Sequence, residues 1–177
     1  MSTAENLHRS ATTPTTRGVV FIHSASTALC PHVAWALEGV LGTTVTLDWE
    51  PQPLGDRAQR TEINWVGPQG TGAAIASALR GWDSLRYEIT EEPSAGADGS
   101  RWSFTPSLGL HHTWVGASGD SVVNEDRIRH AVAQAQGDPL VFADLMDGLL
   151  GTRWDEELEG FRHAGEDAPV RWLYKVG

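Results

Sequence analysis

The sequence predicts an α+β fold: a ferredoxin-like βαββαβ sheet extended by a hairpin and followed by C-terminal helices and a final strand. Three observations predict it. Val19, Val20, Phe21 and Ile22 form an uninterrupted apolar run of the kind found in strands buried on both faces. Two strand-helix-strand patterns then follow one another at a spacing of about forty residues, the arrangement of a split βαβ unit. Beyond residue 124 the pattern changes to helical spacing punctuated by capping residues.

Residues 1–16 read as a disordered tail, because a Ser/Thr-rich stretch without apolar anchors cannot offset its ordering entropy. Residues 17–177 read as a single α+β domain, with 17–93 as the βαββαβ core, 94–123 as the hairpin extension, and 124–177 as the helical segment and terminal strand. Right-handed crossovers place the first strand beside the third in the middle of the sheet. Val33, Ala34, Leu37, Val40 and Leu41 recur at helical spacing over 31–41, and Gly42 suits a left-handed C-cap. Val45, Leu47 and Trp49 alternate with Thr46 and Asp48 as a second strand, and Ile63 with Trp65 or Val66 marks a third that ends at Gly67 and Pro68. A second helix is expected over 71–80. Leu85, Tyr87 and Ile89 alternate with Arg86, Glu88 and Thr90, which predicts a half-buried strand stopping near Pro93.

Asp98-Gly99 signals a turn into Trp102 and Phe104, and Pro106 to Gly109 a further turn into Leu110–Val115. Asn124 caps a helix that carries Ile128, Ala131, Val132 and Ala135 and closes at Gly137. Asp138 and Pro139 open another that runs to Leu150. Gly151 ends it, and Thr152 with Asp155 reads as a capping box for a last helix holding Trp154, Leu158 and Phe161. Val170 to Val176 reads as a closing strand at a sheet edge.

At 177 residues the chain can bury roughly 70% of its unfolded surface in one core. Cys30 is the only cysteine, so no internal disulfide or cysteine-based zinc cluster is available, and a cytoplasmic setting is expected. No apolar run reaches signal-peptide or membrane-spanning length, so neither export nor membrane attachment is expected. The net charge of -10, from 23 acidic and 13 basic residues, would repel a phosphate backbone and argues against nucleic acid as a partner.

Four groups of residues invite a chemical reading. The run Gly67-Pro68-Gln69-Gly70-Thr71-Gly72 opens the second helix, where exposed N–H groups and the Thr71 hydroxyl suit a phosphate or carboxylate. Its spacing matches neither the Walker A nor the dinucleotide pattern, and glycines are equally expected in a tight strand-to-helix turn. Gly70, Thr71 and Gly72, with Arg80 or Arg101 as counter-charge, make the candidate ligand site. Cys30 at the start of the first helix, with His32 nearby, sits where a helix dipole would lower a thiol pKa, although a buried structural cysteine is the commoner case. His23, His111 and His112 are candidate metal ligands, but adjacent strand residues point to opposite faces, and no metal or cofactor is expected. Trp49 beside Asp48 and Glu50, and Trp154 before Asp155, Glu156 and Glu157, resemble sugar-cleft patterns; the simpler reading makes tryptophans 35, 49, 65, 102, 114, 154 and 172 core anchors, with carboxylates complementing a helix dipole.

The segments GVVFIHS, ALCPHVAWAL, TLDWEPQP, GTGAAIASALRGWD, ITEEPS, FTPSLGL and LLGTRWDEELEGFRHAGEDAPVRWL, in that order, resemble an actinobacterial family, domain of unknown function 3145. The resemblance spans about residues 17–176. It implies a role near fatty-acid or acyl metabolism and supplies no catalytic residues.

Two functions follow. A non-catalytic protein-interaction or regulatory role ranks first, because no nucleophile, base and oxyanion-hole set can be assembled and no catalytic residue is assigned. Its surface would be a sheet face or the acidic C-terminal helices, and its partner a basic protein, unless Arg127, Arg129, Arg153 and Arg162 form a local basic patch. The alternative is a binder of, or enzyme acting on, an anionic metabolite held at Gly70–Gly72. The fold hosts both kinds of role.

Overall fold

The computed structural model describes residues 14–164. Twelve elements follow in order: β1 (Thr15–Ser26), α1 (Cys30–Leu41), β2 (Glu50–Pro51), β3 (Ala58–Pro68), α2 (Thr71–Leu79), β4 (Arg86–Glu91), β5 (Gly99–Thr105), β6 (Gly109–Val115), β7 (Ser121–Val122), α3 (Glu125–Ala135), α4 (Pro139–Leu150) and α5 (Thr152–Arg162). The strands form one antiparallel sheet in the order β2-β3-β1-β4-β5-β6-β7. The first strand is therefore flanked by β3 and β4, the central position that its apolar run requires.

Strand alternation divides the side chains between two faces. On one face Val20 and Ile22 of β1, Trp65 of β3, Tyr87 and Ile89 of β4, and Trp102 and Phe104 of β5 meet Val33 and Leu37 of α1 and Ile75, Ala76 and Leu79 of α2. This is the apolar core. On the other face the register aligns Glu62, Phe21, Glu88, Ser103 and His111 in a row across five strands. Helix α5 crosses that row, from Trp154, whose indole donates to the Gly109 carbonyl at 2.9 Å, to Arg162, which reaches Glu88. Close approach explains one glycine: a Cβ at Gly18 would lie 1.8 Å from the Thr90 carbonyl oxygen of the neighbouring strand.

Several expectations need correction. The strand expected at Val45–Trp49 is absent and β2 is only the two residues directly after it, Glu50 and Pro51, because the Val45 amide donates to the Glu38 carboxylate instead of a ladder, while Val45 itself is buried in the core. Strand β1 begins at Thr15, inside the expected tail, with Thr15 and Thr16 paired to Pro68 and Gly67. The turn expected at Asp98-Gly99 lies at Ser94–Ala97, where Gly96 takes the positive φ of 82° and Ser94 and Ala97 exchange both backbone hydrogen bonds. Thr152 is the first residue of α5 rather than its cap; its hydroxyl donates to Asp147 and the N-cap is Gly151. Asn124 and Asp138 do cap their helices, accepting from Asp126 N and from Leu140 N and Val141 N. The closing strand expected over 170–176 lies outside the described residues.

Candidate functional site

The glycine-rich turn is the natural place to begin, since α2 starts there and presents unpaired amides toward its N-terminus. Those amides have a partner within the chain. Glu91, at the end of β4, accepts from Gly70 N at 2.7 Å through Oε1 and from Gly72 N at 2.8 Å through Oε2. Thr71 turns its hydroxyl back onto the Pro68 carbonyl at 2.6 Å. A Cβ at Gly72 would come within 2.6 Å of the Trp102 ring and 2.9 Å of Glu91 Oε2, so packing and this carboxylate account for the glycine. Arg80 is the C-cap at the opposite end of α2 and is exposed. Arg101 projects to the other sheet face and pairs with Asp155 at 3.3 Å. The structure thus keeps Gly70, Thr71 and Gly72 together and brings neither Arg80 nor Arg101 to them.

Cys30 is buried, its thiol facing the Ser26 carbonyl at 3.6 Å, and burial pushes its pKa up, against the lowering expected from the helix dipole. His111 and His112 diverge to opposite faces: His111 packs against the tilted Trp154 ring of α5, and His112 lies between Trp102 and Trp114. Burial lowers the pKa of both rings. The described residues contain no group of three or more His, Cys, Asp or Glu side chains that could hold a metal ion. Trp65 and Trp102 are core anchors as expected, whereas Trp35 and Trp114 stand exposed.

Under α5 lies a polar cluster that the strand pattern placed in solvent. Glu88 is fully buried. Its Oε2 accepts from His23 Nε2 at 2.7 Å and Arg162 Nε at 2.9 Å, and its Oε1 accepts from Arg162 at 2.6 Å and from the Ser103 hydroxyl at 3.4 Å. Arg162 also donates to Asp155 at 2.7 Å, and Asp155 takes Arg101, so the charges run His23, Glu88, Arg162, Asp155, Arg101. Burial alone would push the Glu88 carboxyl up, but the hydrogen bonds and charges of His23 and Arg162 outweigh it and hold the group well below the usual carboxylate range. Burial would likewise lower the Arg162 pKa, and Glu88 and Asp155 instead raise it. Two carboxylates of the first turns of α5 are engaged here: Asp155 as above, and Glu157 with Arg86 and Ser107.

The envisaged basic patch is not assembled. Arg129 pairs with Glu125, Arg153 with Asp144, and Arg162 with Glu88 and Asp155. Arg127 instead lines an open cleft of about 370 Å³ between α3 and α4, with Asp126, His130, Gln134, Leu145 and Leu149. Helix α4 itself, PLVFADLMDGLL, has no buried residue, and Leu140 is 80% exposed with Val141 and Leu150 at 41% and 40%. Val132 of α3 is 56% exposed.

No helix of the described residues is long and apolar enough to cross a membrane. No curated protein and no solved structure matches the chain. A family profile does match, over residues 19–175. The match takes in the sheet from Val19 onward, α3, α4 and the α5 clasp, and on it the chain belongs to the family described as protein of unknown function (DUF3145).

Proposed function

We propose that this protein is a non-catalytic interaction or regulatory protein of the cytoplasm, and that it recognises its partner through the α3–α4 hairpin. One observation carries the reading: α4 is a twelve-residue helix of apolar composition that buries none of its residues in the fold. Phe142, Leu145, Met146 and Leu149 are half-buried while Leu140, Val141 and Leu150 stay exposed, and large apolar side chains left outward on one helix mark an interaction surface. The rest of the molecule supports this. Its chemically capable groups are engaged with one another, Glu91 with the α2 amides and Glu88 with His23 and Arg162. Binding an anionic metabolite at Gly70–Gly72 would require Glu91 to leave that position. The antiparallel order β2-β3-β1-β4, with α1 and α2 against one face, supports reading the first six elements as a ferredoxin-like core within a single domain. A place near acyl metabolism, implied by the family resemblance, belongs to the same proposal.

Affinity purification of the full chain from its native cell tests the proposal. We expect a reproducible stoichiometric partner that a folded Leu140→Asp, Leu150→Asp variant fails to recover. A partner retained equally by the variant, or none recovered by the wild type, would overturn it.

A further inference from the structure

Resting on the docking role just proposed for α4, we infer the chemistry of its occupant: a helical segment of another protein with apolar residues about three turns apart and Lys or Arg between them. Leu140, Asp144, Asp147 and Leu150, at i, i+4, i+7 and i+10, share one exposed face of α4 that is apolar at both ends and acidic in the middle. Ten residues of helix span about 15 Å, so the two apolar ends are separated by roughly three turns. Asp138 stands at the head of the same helix, and α4 carries three Asp or Glu side chains around this face, counting its cap, with no Lys or Arg of its own.

These carboxylates differ in how far they are neutralised. Asp138 receives the Leu140 and Val141 amides, and Asp144 is paired with Arg153 of α5. The Asp147 carboxylate accepts the Thr152 hydroxyl at 3.2 Å and has no ion-pair partner among the described residues. It lies between the two apolar ends, where a cation of an incoming helix would meet it. Across residues 124–151 Glu125, Asp126, Asp138, Asp144 and Asp147 stand against Arg127 and Arg129, so the wider hairpin surface is acidic as well.

Charge also selects among possible occupants. A second copy of this chain would set Asp144 and Asp147 against the same two residues, and like charges brought together at an interface are unfavourable. An acidic or phosphorylated segment meets the same repulsion. A basic amphipathic helix satisfies both the apolar ends and the carboxylates between them, the helix-in-groove mode of recognition.

The test uses two labelled synthetic helical peptides of about 15 residues, long enough to fold on a surface. Both carry Leu at the two apolar positions; one has Lys between them and the other Glu. Fluorescence anisotropy with the full-length protein is expected to show saturable binding of the Lys peptide and none of the Glu peptide. We expect Leu140→Asp to weaken the Lys peptide about tenfold and Asp147→Lys about fivefold, with unchanged melting temperatures. Equal binding of both peptides, lost in Leu140→Asp, would overturn the basic occupant while leaving α4 as a docking face. Lys-peptide binding that survives Leu140→Asp is adsorption to a negative protein and would overturn both, as would binding of neither peptide.

Discussion

Glu88 shows how an ordinary strand position becomes a structural hub. Its neighbours Leu85, Tyr87 and Ile89 are buried, as the alternating pattern requires, and the same pattern assigns Glu88 to the opposite face. That assignment is right about direction and wrong about solvent, since α5 lies over this face and brings Arg162 to it. Nothing in the local sequence links position 88 to position 162. Removing one partner of such a pair strands the other as a buried charge, so Arg162→Ala should cost roughly 3–5 kcal/mol in denaturant unfolding, and a well-packed apolar replacement of both should recover most of it. An equal loss in the double apolar variant would contradict this. The pH dependence has a definite sign. The folded pKa of Glu88 is depressed, so the pair's contribution is complete above about pH 5 and is lost as pH falls below the unfolded value of about 4.3 toward the lower folded value. The stability gap between wild type and Glu88→Gln should therefore narrow on acidification from pH 6 to pH 3; a gap that widens would refute the assignment.

At the scale of elements, helix ends were legible because caps are local chemistry. Asn124, Asp138, Gly42 and Gly151 sit where their side chains or positive φ suit them. The start of α2 reads from the sequence as a candidate anion site, and in the structure its amides donate to Glu91 of the same chain, a pairing 19 and 21 residues distant that spacing rules do not reveal. Truncation makes the point testable. Glu91→Ala leaves two amides unpaired and should cost about 1–3 kcal/mol, and inorganic phosphate should then raise the melting temperature of the variant and leave that of the wild type unchanged. Phosphate stabilisation of the wild type would instead restore the anionic-ligand reading of Gly70, Thr71 and Gly72. Strand β2 was misplaced for a related reason: Val45, Leu47 and Trp49 do alternate and do pack against the core, yet burial of alternate side chains does not require a ladder when Glu38 takes the Val45 amide.

Across the whole molecule, one sheet is served by two unlike surfaces. The side under α1 and α2 is apolar and was readable from the Val19–Ile22 run and from Val33 and Leu37 at helical spacing, patterns that report burial directly. The side under α5 is held by directional charge pairs with Leu158 as the buried apolar residue of that helix, and such long-range pairing leaves no periodic trace. The apolar composition of α4 was visible in the sequence, but its exposure was not, because a run such as Leu140–Leu150 reads equally well as a core helix. Its outward apolar ends and the carboxylates between them make the hairpin the surface on which recognition rests. Hydrogen exchange on the full chain, alone and bound to the partner recovered from cells, tests that claim most directly. Added protection should fall on residues 132–150. Protection confined instead to β5–β7 or to the start of α2, with 132–150 unchanged, would contradict it.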